Sequence, residues 1–465
     1  MKILLSFILS CLFFSNAFSQ APVFALPANT FFMKEARGFV KVKNGYLGVR
    51  KYGLDKTNPY QRRLNVSVVN YDDKMVELSE NKFSNGEFVY SMFEPQIIKG
   101  DKIWVICGDP GTSWNLGNIK AVEIDPQTYK PGASKILVSQ EDLRETGQWG
   151  FFKVSIKSSP NAKYHCLYFG GENDEKFYMA CLNSYFEPVW KGKIQIPKTR
   201  TYQISDMSIN DNGEIILASI TKSVASLSIY NLKGEVTYQQ LNFNNVEPAF
   251  IDILQSKSGN LYIGGTLMKD SKLQNGVFFA KLEKDYSLSN MKQLDIAGDI
   301  LDILAKHGLA KTGDKKNGLT GHFIQSELVE QNDGRIRLVT ETTYADERSN
   351  DYMGYGGLII TDFNKADNQF SVIPKFMVQF NTWPRVNEFV ALPSKNDITV
   401  FYCDNEENIN IDMKERQKPL NGRAIGALYA ATIDNNGVIK REIIARKDDK
   451  GTTAKMIQVY IVTKQ

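Results

Sequence analysis

The densest group of side chains able to hold a cation lies in CDNEENINID. Asp404, Glu406, Glu407 and Asp412 place four carboxylates within nine positions, with Asn405 and Asn408 between them. Calcium takes oxygen ligands of this kind. The spacing does not match an EF-hand loop. The stretch therefore reads either as a calcium site or as an acidic surface loop shaped by Asn side chains bonding backbone groups. The chain holds three histidines, His165, His307 and His322. His165 falls inside an apolar strand pattern, where a satisfied structural histidine is expected. No paired His spacing, HExxH or Cys-x-x-Cys supports zinc. No Gly-x-Ser-x-Gly elbow and no P-loop glycine pattern occurs. The sialidase-type Asp box is absent as well.

Cysteine chemistry is confined to a few positions. In KYHCLYFGGENDEKFYMACL two apolar runs flank the loop 172–175. If Gly171 faces Lys176, the register sets Cys166 directly opposite Cys181, on one face of the sheet. The pair reads either as a cross-strand disulfide or as two buried thiols packing as small apolar groups. Polysaccharide cleavage would need two carboxylates flanking one bond. The chain has 52 Asp and Glu, and spacing alone pairs none of them.

The elements that must position these groups are strands. The chain opens Met-Lys, runs apolar from Ile3 to Phe14, and reaches small residues Ala17 and Ser19. This predicts a secretory signal peptide over 1–19, too short and wrongly flanked to span a bilayer as a helix. An exported protein of the periplasm, outer-membrane surface or medium follows. The net charge of +4 is too mild for nucleic acid or an anionic membrane as partner.

Beyond residue 20 the pattern repeats. A tight turn followed by an apolar strand recurs, as in KVKNGYLGVR, SINDNGEIILAS, QSKSGNLYIGG and EQNDGRIRLVTE. Asn44-Gly45, Asn212-Gly213, Ser258-Gly259 and Asp333-Gly334 mark the turns, where Gly accepts positive φ without steric cost. A second β-rich run ending near Asp, Asn or Glu starts at Leu64, Ile119, Phe177, Ala225, Val277, Gly357 and Ala427. Seven such runs predict an all-β propeller of seven four-stranded blades over 20–465, since radial repetition hides the edges of a long meander, with six or eight blades or a stack of two smaller β-domains as the alternatives. KMIQVYIVTK at the C-terminus is expected to pair into the first blade and close the ring. An insertion at 297–321 carries Ile300, Leu301, Ile303 and Leu304 at helical spacing, then turns polar.

With strands a to d in each blade, the a–b and c–d turns share one face. The b–c and d–a connections share the other, and there the chain spends its long loops. That face is expected to carry Arg62, Arg63, Trp114, Tyr344, Arg348, Tyr352, Tyr355, Trp383, Arg385 and Arg416, residue types that anchor contacts. The stretches ITVFYCDNEENINI and GALYAATIDNNGVIKREII resemble the closing part of uncharacterised exported propeller-like proteins of the Bacteroidetes, as does the leader ending NAFSQ. That resemblance implies a propeller in a periplasmic or outer-membrane setting and brings no activity or catalytic residue. The expectation is a monomer that binds a protein or glycan through its long-loop face. The alternative is a polysaccharide hydrolase or lyase with paired carboxylates at the channel. No cofactor other than calcium is implied.

Overall fold

A computed structural model describes residues 36–445 apart from segments within the connections, chiefly 53–62, 73–76, 84–87, 91–95, 109–116, 146–152, 171–175, 196–202, 270–272, 307–309, 312–317, 320–322, 346–351, 381–388 and 422–426. The leader and the C-terminal KMIQVYIVTK lie outside the described residues. The chain folds as a seven-bladed β-propeller of four-stranded antiparallel blades. The seven β-rich runs noted in the sequence all fall on third strands.

Blades 3, 4 and 5 show the plan: Lys153–Ser158 to Pro188–Gln195, Gln203–Ile209 to Val236–Leu241, and Glu247–Gln255 to Leu288–Asp295, each a simple up-and-down meander. Blades 1 and 2 begin with Ala36–Val42 and Gln96–Lys99 and are bridged into one sheet by Phe88–Tyr90. Blade 6 begins with Phe323–Glu330 and blade 7 with Val390–Pro393. The first strand ends its sheet in each of these blades, and first strands of adjoining blades touch, so they are the innermost strands around the axis.

The core is a series of layers between blade faces. Ile215 and Leu217 pack against Cys166, Phe177 and Met179 of blade 3. Ile216, Ala218 and Ile220 pack on the opposite side against Ile251, Ile263 and Phe278 of blade 5. Successive side chains of a strand point to opposite faces. A middle strand buried on both faces therefore reads as a largely apolar run, as Ile215–Thr221 does with Ser219 buried among its apolar neighbours. Outermost strands show the contrary pattern, and Val236–Leu241 leaves Tyr238 69% exposed.

One turn unit is used again and again. At Asn210 the backbone N–H donates to Glu214 O (3.1 Å) and the Gly213 N–H donates back to Asn210 O (2.9 Å). The same pair of bonds closes turns that begin at Asn183, Asn231, Ser256, Glu283, Gln331 and Asp434. The fourth residue takes positive φ, as at Gly213 (φ 78). The Asn-Gly and Ser-Gly signals thus sit inside five-residue turns rather than two-residue ones. A Gly in the left-handed region there adds the extra residue that matches strand twist. The leading Asn completes the unit. Asn231 Oδ1 accepts from the N–H of Lys233 (2.8 Å) and Glu235 (3.1 Å), and its Nδ2 donates to Glu235 Oε2 (2.7 Å).

The insertion holds the expected helix, Asp299–Lys306, with Leu301 and Leu304 buried against blades 5 and 6. The stretch after it includes a small ribbon, Ala310–Lys311 with Gly318–Leu319, that buries Ala310 and Leu319.

Candidate functional site

The expected contrast between faces is present in blade 7 but reversed in blade 4, where the b–c connection from Thr221 to Val224 is shorter than the c–d turn from Tyr230 to Val236. The b–c connection of blade 7 runs from Asp404 to Ala427, whereas its c–d turn runs from Ile433 to Ile439. The long connections of blades 6 and 7 are built onto one another. Met377–Phe380, between the two blades, pairs antiparallel with the start of the third strand of blade 6, setting Tyr352 opposite Phe380 and Tyr355 opposite Met377. Its other edge pairs parallel with Leu420–Asn421 of the blade 7 loop. Lys306 Nζ, at the end of the inserted helix, donates to Lys414 O of that same loop (2.9 Å).

Several expected loop residues prove to be strand residues. Tyr344 pairs with Gly354, and Tyr352 and Tyr355 lie in Tyr352–Asp362. Arg63 opens the third strand of blade 1 and pairs with Tyr90. The run Thr342, Thr343, Tyr344 suits a pleated ladder, which carries the hairpin past the body of the blade. Arg416 is exposed in the blade 7 loop. Arg62, Trp114, Arg348, Trp383 and Arg385 lie outside the described residues, as do His307 and His322.

The acidic stretch does not converge. Asp404 is fully buried, and its Oδ1 accepts from the N–H of Asn405 (2.8 Å) and from Asn408 Nδ2 (3.0 Å). Asn408 also ties down the far side of the loop, since its Nδ2 donates to Lys418 O (3.0 Å) and its Oδ1 accepts from Lys418 N–H (2.7 Å). Glu407 turns outward to pair with Lys418, Glu406 is exposed, and Asp412 accepts from the Lys414 N–H. Among the described residues no group of three or more His, Cys, Asp or Glu side chains is arranged to hold a metal ion. The four carboxylates of the calcium expectation are therefore not gathered at one point in this structure. Asn408 sits at the centre of these bonds, because its amide carries both donors and an acceptor.

The predicted register of the cysteines is observed, Cys166 opposite Cys181. Both are fully buried free thiols. Cys166 Sγ contacts Met207 Sδ (3.2 Å) and Cys181 Sγ contacts Gly213 O (3.7 Å), both partners on blade 4. Burial pushes the Cys181 thiol up to about 12 and Cys166 well above its ordinary value. The two therefore act as packing groups in the layer between blades 3 and 4.

Reading along the chain missed a group on the innermost strands. Asp206, Asp252 and Glu327 lie on the innermost strands of blades 4, 5 and 6. They occupy the same repeat position, four residues before Asn210, Ser256 and Gln331, each of which opens a turn of the recurring kind. Each reaches forward to the next innermost strand. Asp206 Oδ2 accepts from the Ile253 N–H (3.0 Å), while Ser205 Oγ beside it accepts from the Ile251 N–H (2.6 Å). Ser326 of blade 6 donates its hydroxyl proton to Asp252. Glu327 accepts from the Ala391 N–H of blade 7. The inward edge of an innermost strand has no neighbouring strand, and buried N–H groups require a partner. Ser205, Asp206 and Glu327 supply it, while Asp252 takes the hydroxyl of Ser326.

Lys157, on the innermost strand of blade 3, pairs with Asp206 (3.4 Å). Its side chain is 50% exposed. Burial raises Glu327 to about 7, opposed by the Lys157 charge and the Ala391 N–H. Burial also raises Asp252 well above the ordinary carboxylate range, and the neighbouring Asp206 charge adds to this. The signal was present as Asp206, Asp252 and Glu327 at one offset before each turn, but it is legible only once the turns are aligned.

No protein-family model matches the chain, and no curated protein matches it. Solved structures that are similar share little sequence. A Lactobacillus plantarum protein is 11% identical, covering 85% of this chain and 95% of its own, with a TM-score of 0.40. The Dos1 propeller is 12% identical over 79% of this chain and 82% of its own, with a TM-score of 0.37. A protein of unknown function from Bacteroides caccae is 9% identical over 64% of this chain and 86% of its own, with a TM-score of 0.30.

Proposed function

We propose that the protein is an exported propeller that binds a protein or glycan partner through its long-loop face, centred on blades 6 and 7. One observation carries this reading. Three separate connections, the 6–7 connection, the blade 7 loop and the helical insert, are joined there by backbone pairing and the Lys306 bond. Ordered loops on a rigid scaffold are where proteins place recognition. The leader-like residues 1–19 support export. Crosslinking to an envelope fraction, together with a glycan array, tests the reading. Wild type and a Tyr352→Ala, Tyr355→Ala, Arg416→Ala variant would be compared with Asn161→Ala on the plain face. Capture is expected to drop at least tenfold in the triple variant only. Equal capture by all three proteins would sink the reading. N-terminal sequencing of the mature chain is expected to begin at Gln20.

A second reading, a polysaccharide hydrolase or lyase, is favoured by the axial carboxylates. Glu327 holds a proton near neutrality and Asp206 is paired with Lys157, the division of labour that acid–base cleavage uses. Release of reducing ends from a polysaccharide panel, abolished by Glu327→Gln with the fold intact, would support it. Activity unchanged in that variant would exclude Glu327 as the acid.

A further inference from the structure

We propose that the outermost strand of blade 4, Val236–Leu241, is a pairing edge through which two copies of this chain join antiparallel as a twofold dimer centred on Tyr238. Among the described residues this strand ends its sheet, bonded to Val224–Tyr230 along one side. Such an edge offers a row of backbone N–H and C=O groups to another strand, and proteins that avoid pairing blunt it with charge, shortness or cover. The other blades follow that rule. Glu77–Lys82, Pro131–Val138, Pro188–Gln195, Leu288–Asp295 and Ile439–Ala445 each carry a lysine. The outermost strand of blade 6, Phe370–Ile373, is four residues long, and its Val372 packs in one cluster with Leu301 and Leu304 of the inserted helix. Val236–Leu241 reads VTYQQL, with no charged side chain, and its first three residues are exposed.

Apolar exposure gathers at the same place. Val224, Leu232, Val236 and Tyr238 of blade 4 are exposed, as are Tyr185 and Val189 of blade 3. Val236 lies opposite Tyr230, which stacks on Trp190 of blade 3 with ring centroids 5.7 Å apart, so Val236, Tyr238 and Gln240 share the face toward blade 3. The occupant follows from the symmetry of the strand itself. Antiparallel strands related by a twofold must place the axis on a residue paired with its own copy, because adjacent residues point to opposite faces. With the axis at Tyr238 the ring meets its copy, Thr237 meets Gln239 and Val236 meets Gln240. Glu235 meets Leu241, so no like charges oppose each other. Opposed aromatics on one face attract, and Thr and Gln side chains can bond across the pair. A partner recognised by its charge would find no counter-charge on this strand. The proposal does not depend on what the long-loop face binds.

The test is sedimentation velocity of the full mature chain over a dilution series, where a concentration-dependent monomer–dimer equilibrium is expected. Tyr238→Lys sets two ammonium groups against each other at the axis and should raise the dimer dissociation constant about tenfold or more. Leu78→Lys, on the outermost strand of blade 1, should leave that constant unchanged. Both side chains are exposed, so both variants should fold. A chain that stays monomeric throughout the series would overturn the proposal, as would a dimer that is indifferent to Tyr238→Lys or weakened equally by Leu78→Lys. Mild oxidation of a Tyr238→Cys variant gives a second measurement if the lysine variant does not fold. Opposed Cα atoms of an antiparallel pair lie within disulfide reach, so this variant should form a covalent dimer. Wild type and Gln240→Cys should not, since Cys107, Cys166 and Cys181 are buried and Gln240 faces Val236 of the other copy. No link in Tyr238→Cys, or equal linking in the two cysteine variants, would overturn it.

Discussion

His165 shows how one side chain can be chemically reactive by type and structural by placement. It is 1% exposed, stacks on Phe186 with ring centroids 4.4 Å apart, and its Nδ1 lies 2.9 Å from Ser158 Oγ. Burial lowers its proton affinity from 6.5 to about 4, so the ring is neutral in the folded protein at physiological pH. The folded value lies below the unfolded one. Its contribution is thus intact above about 6.5 and is lost as pH falls toward about 4, by about 3 kcal/mol in total. NMR titration of His165 should find no protonation above pH 5, and His165→Gln should flatten the acid limb of a pH–stability profile. The structural role was legible from the apolar strand around His165; the stacking on Phe186, which belongs to the turn after the next strand, was not. The same limit applied to Asp404. Its local neighbours suggested an ion, while the bond from Asn408 that organises the loop depends on how the loop folds back. Asn408→Ala should cost about 2–4 kcal/mol, because it strands buried partners on Asp404 and Lys418. Urea unfolding, with proteolysis mapped to 405–418, checks this.

At the scale of elements, the repeated turn explains why the strands were legible. Gly213 and Gly259 share nearly the same backbone, φ 78 and 82, but differ in surroundings. A Cβ on Gly213 would meet Leu232 Cδ2 at 2.3 Å, whereas one on Gly259 meets nothing within 4 Å. Gly259→Ala should therefore cost about 1 kcal/mol for left-handed backbone alone. Gly213→Ala should cost more by whatever moving Leu232 requires. Equal losses in chemical denaturation would show that Leu232 moves freely. Phe186 and Tyr286 fill the same turn position without glycine, at φ 57 and 62, which is why the turns beginning at Asn183 and Glu283 lacked the Gly signal. Strand ends were less legible than strand middles. Tyr344, Tyr352 and Tyr355 were expected in a loop because the blade body ends before them. The partner strand Met377–Phe380, distant in sequence from Tyr344, lets the ladder continue.

At the scale of the whole molecule, the joints between blades are polar clamps set into apolar layers. Arg337 of blade 6 is 1% exposed and donates to Ile433 O (2.9 Å) and Asp434 O (2.9 Å) in a turn of blade 7, while its Nε faces Asp362 (3.4 Å). Arg337→Ala should destabilise by about 3–5 kcal/mol, since it leaves Asp362 buried without this cation. Arg337→Lys should recover only part of the loss, because a single ammonium cannot reproduce the fork. Denaturant midpoints of the two variants check the order. The axial carboxyls belong to the same class of joint.

The amino-acid pattern by itself determined the strand units and their number. Those properties follow from local rules: alternation of side chains, positive φ at glycine, and the apolar runs that doubly buried strands require. Tertiary structure alone decided which groups meet across blades. Asp206, Asp252 and Glu327 are separated by whole repeats in the chain, and only the closing of blade against blade brings each to the free edge of the next. The same closure made packing groups of Cys166 and Cys181, and the fold of the acidic loop itself set Asn408 between Asp404 and Lys418. Proton affinities and hydrogen-bond partners depend on desolvation and direction, and both are set by the assembled blades rather than by neighbours in sequence.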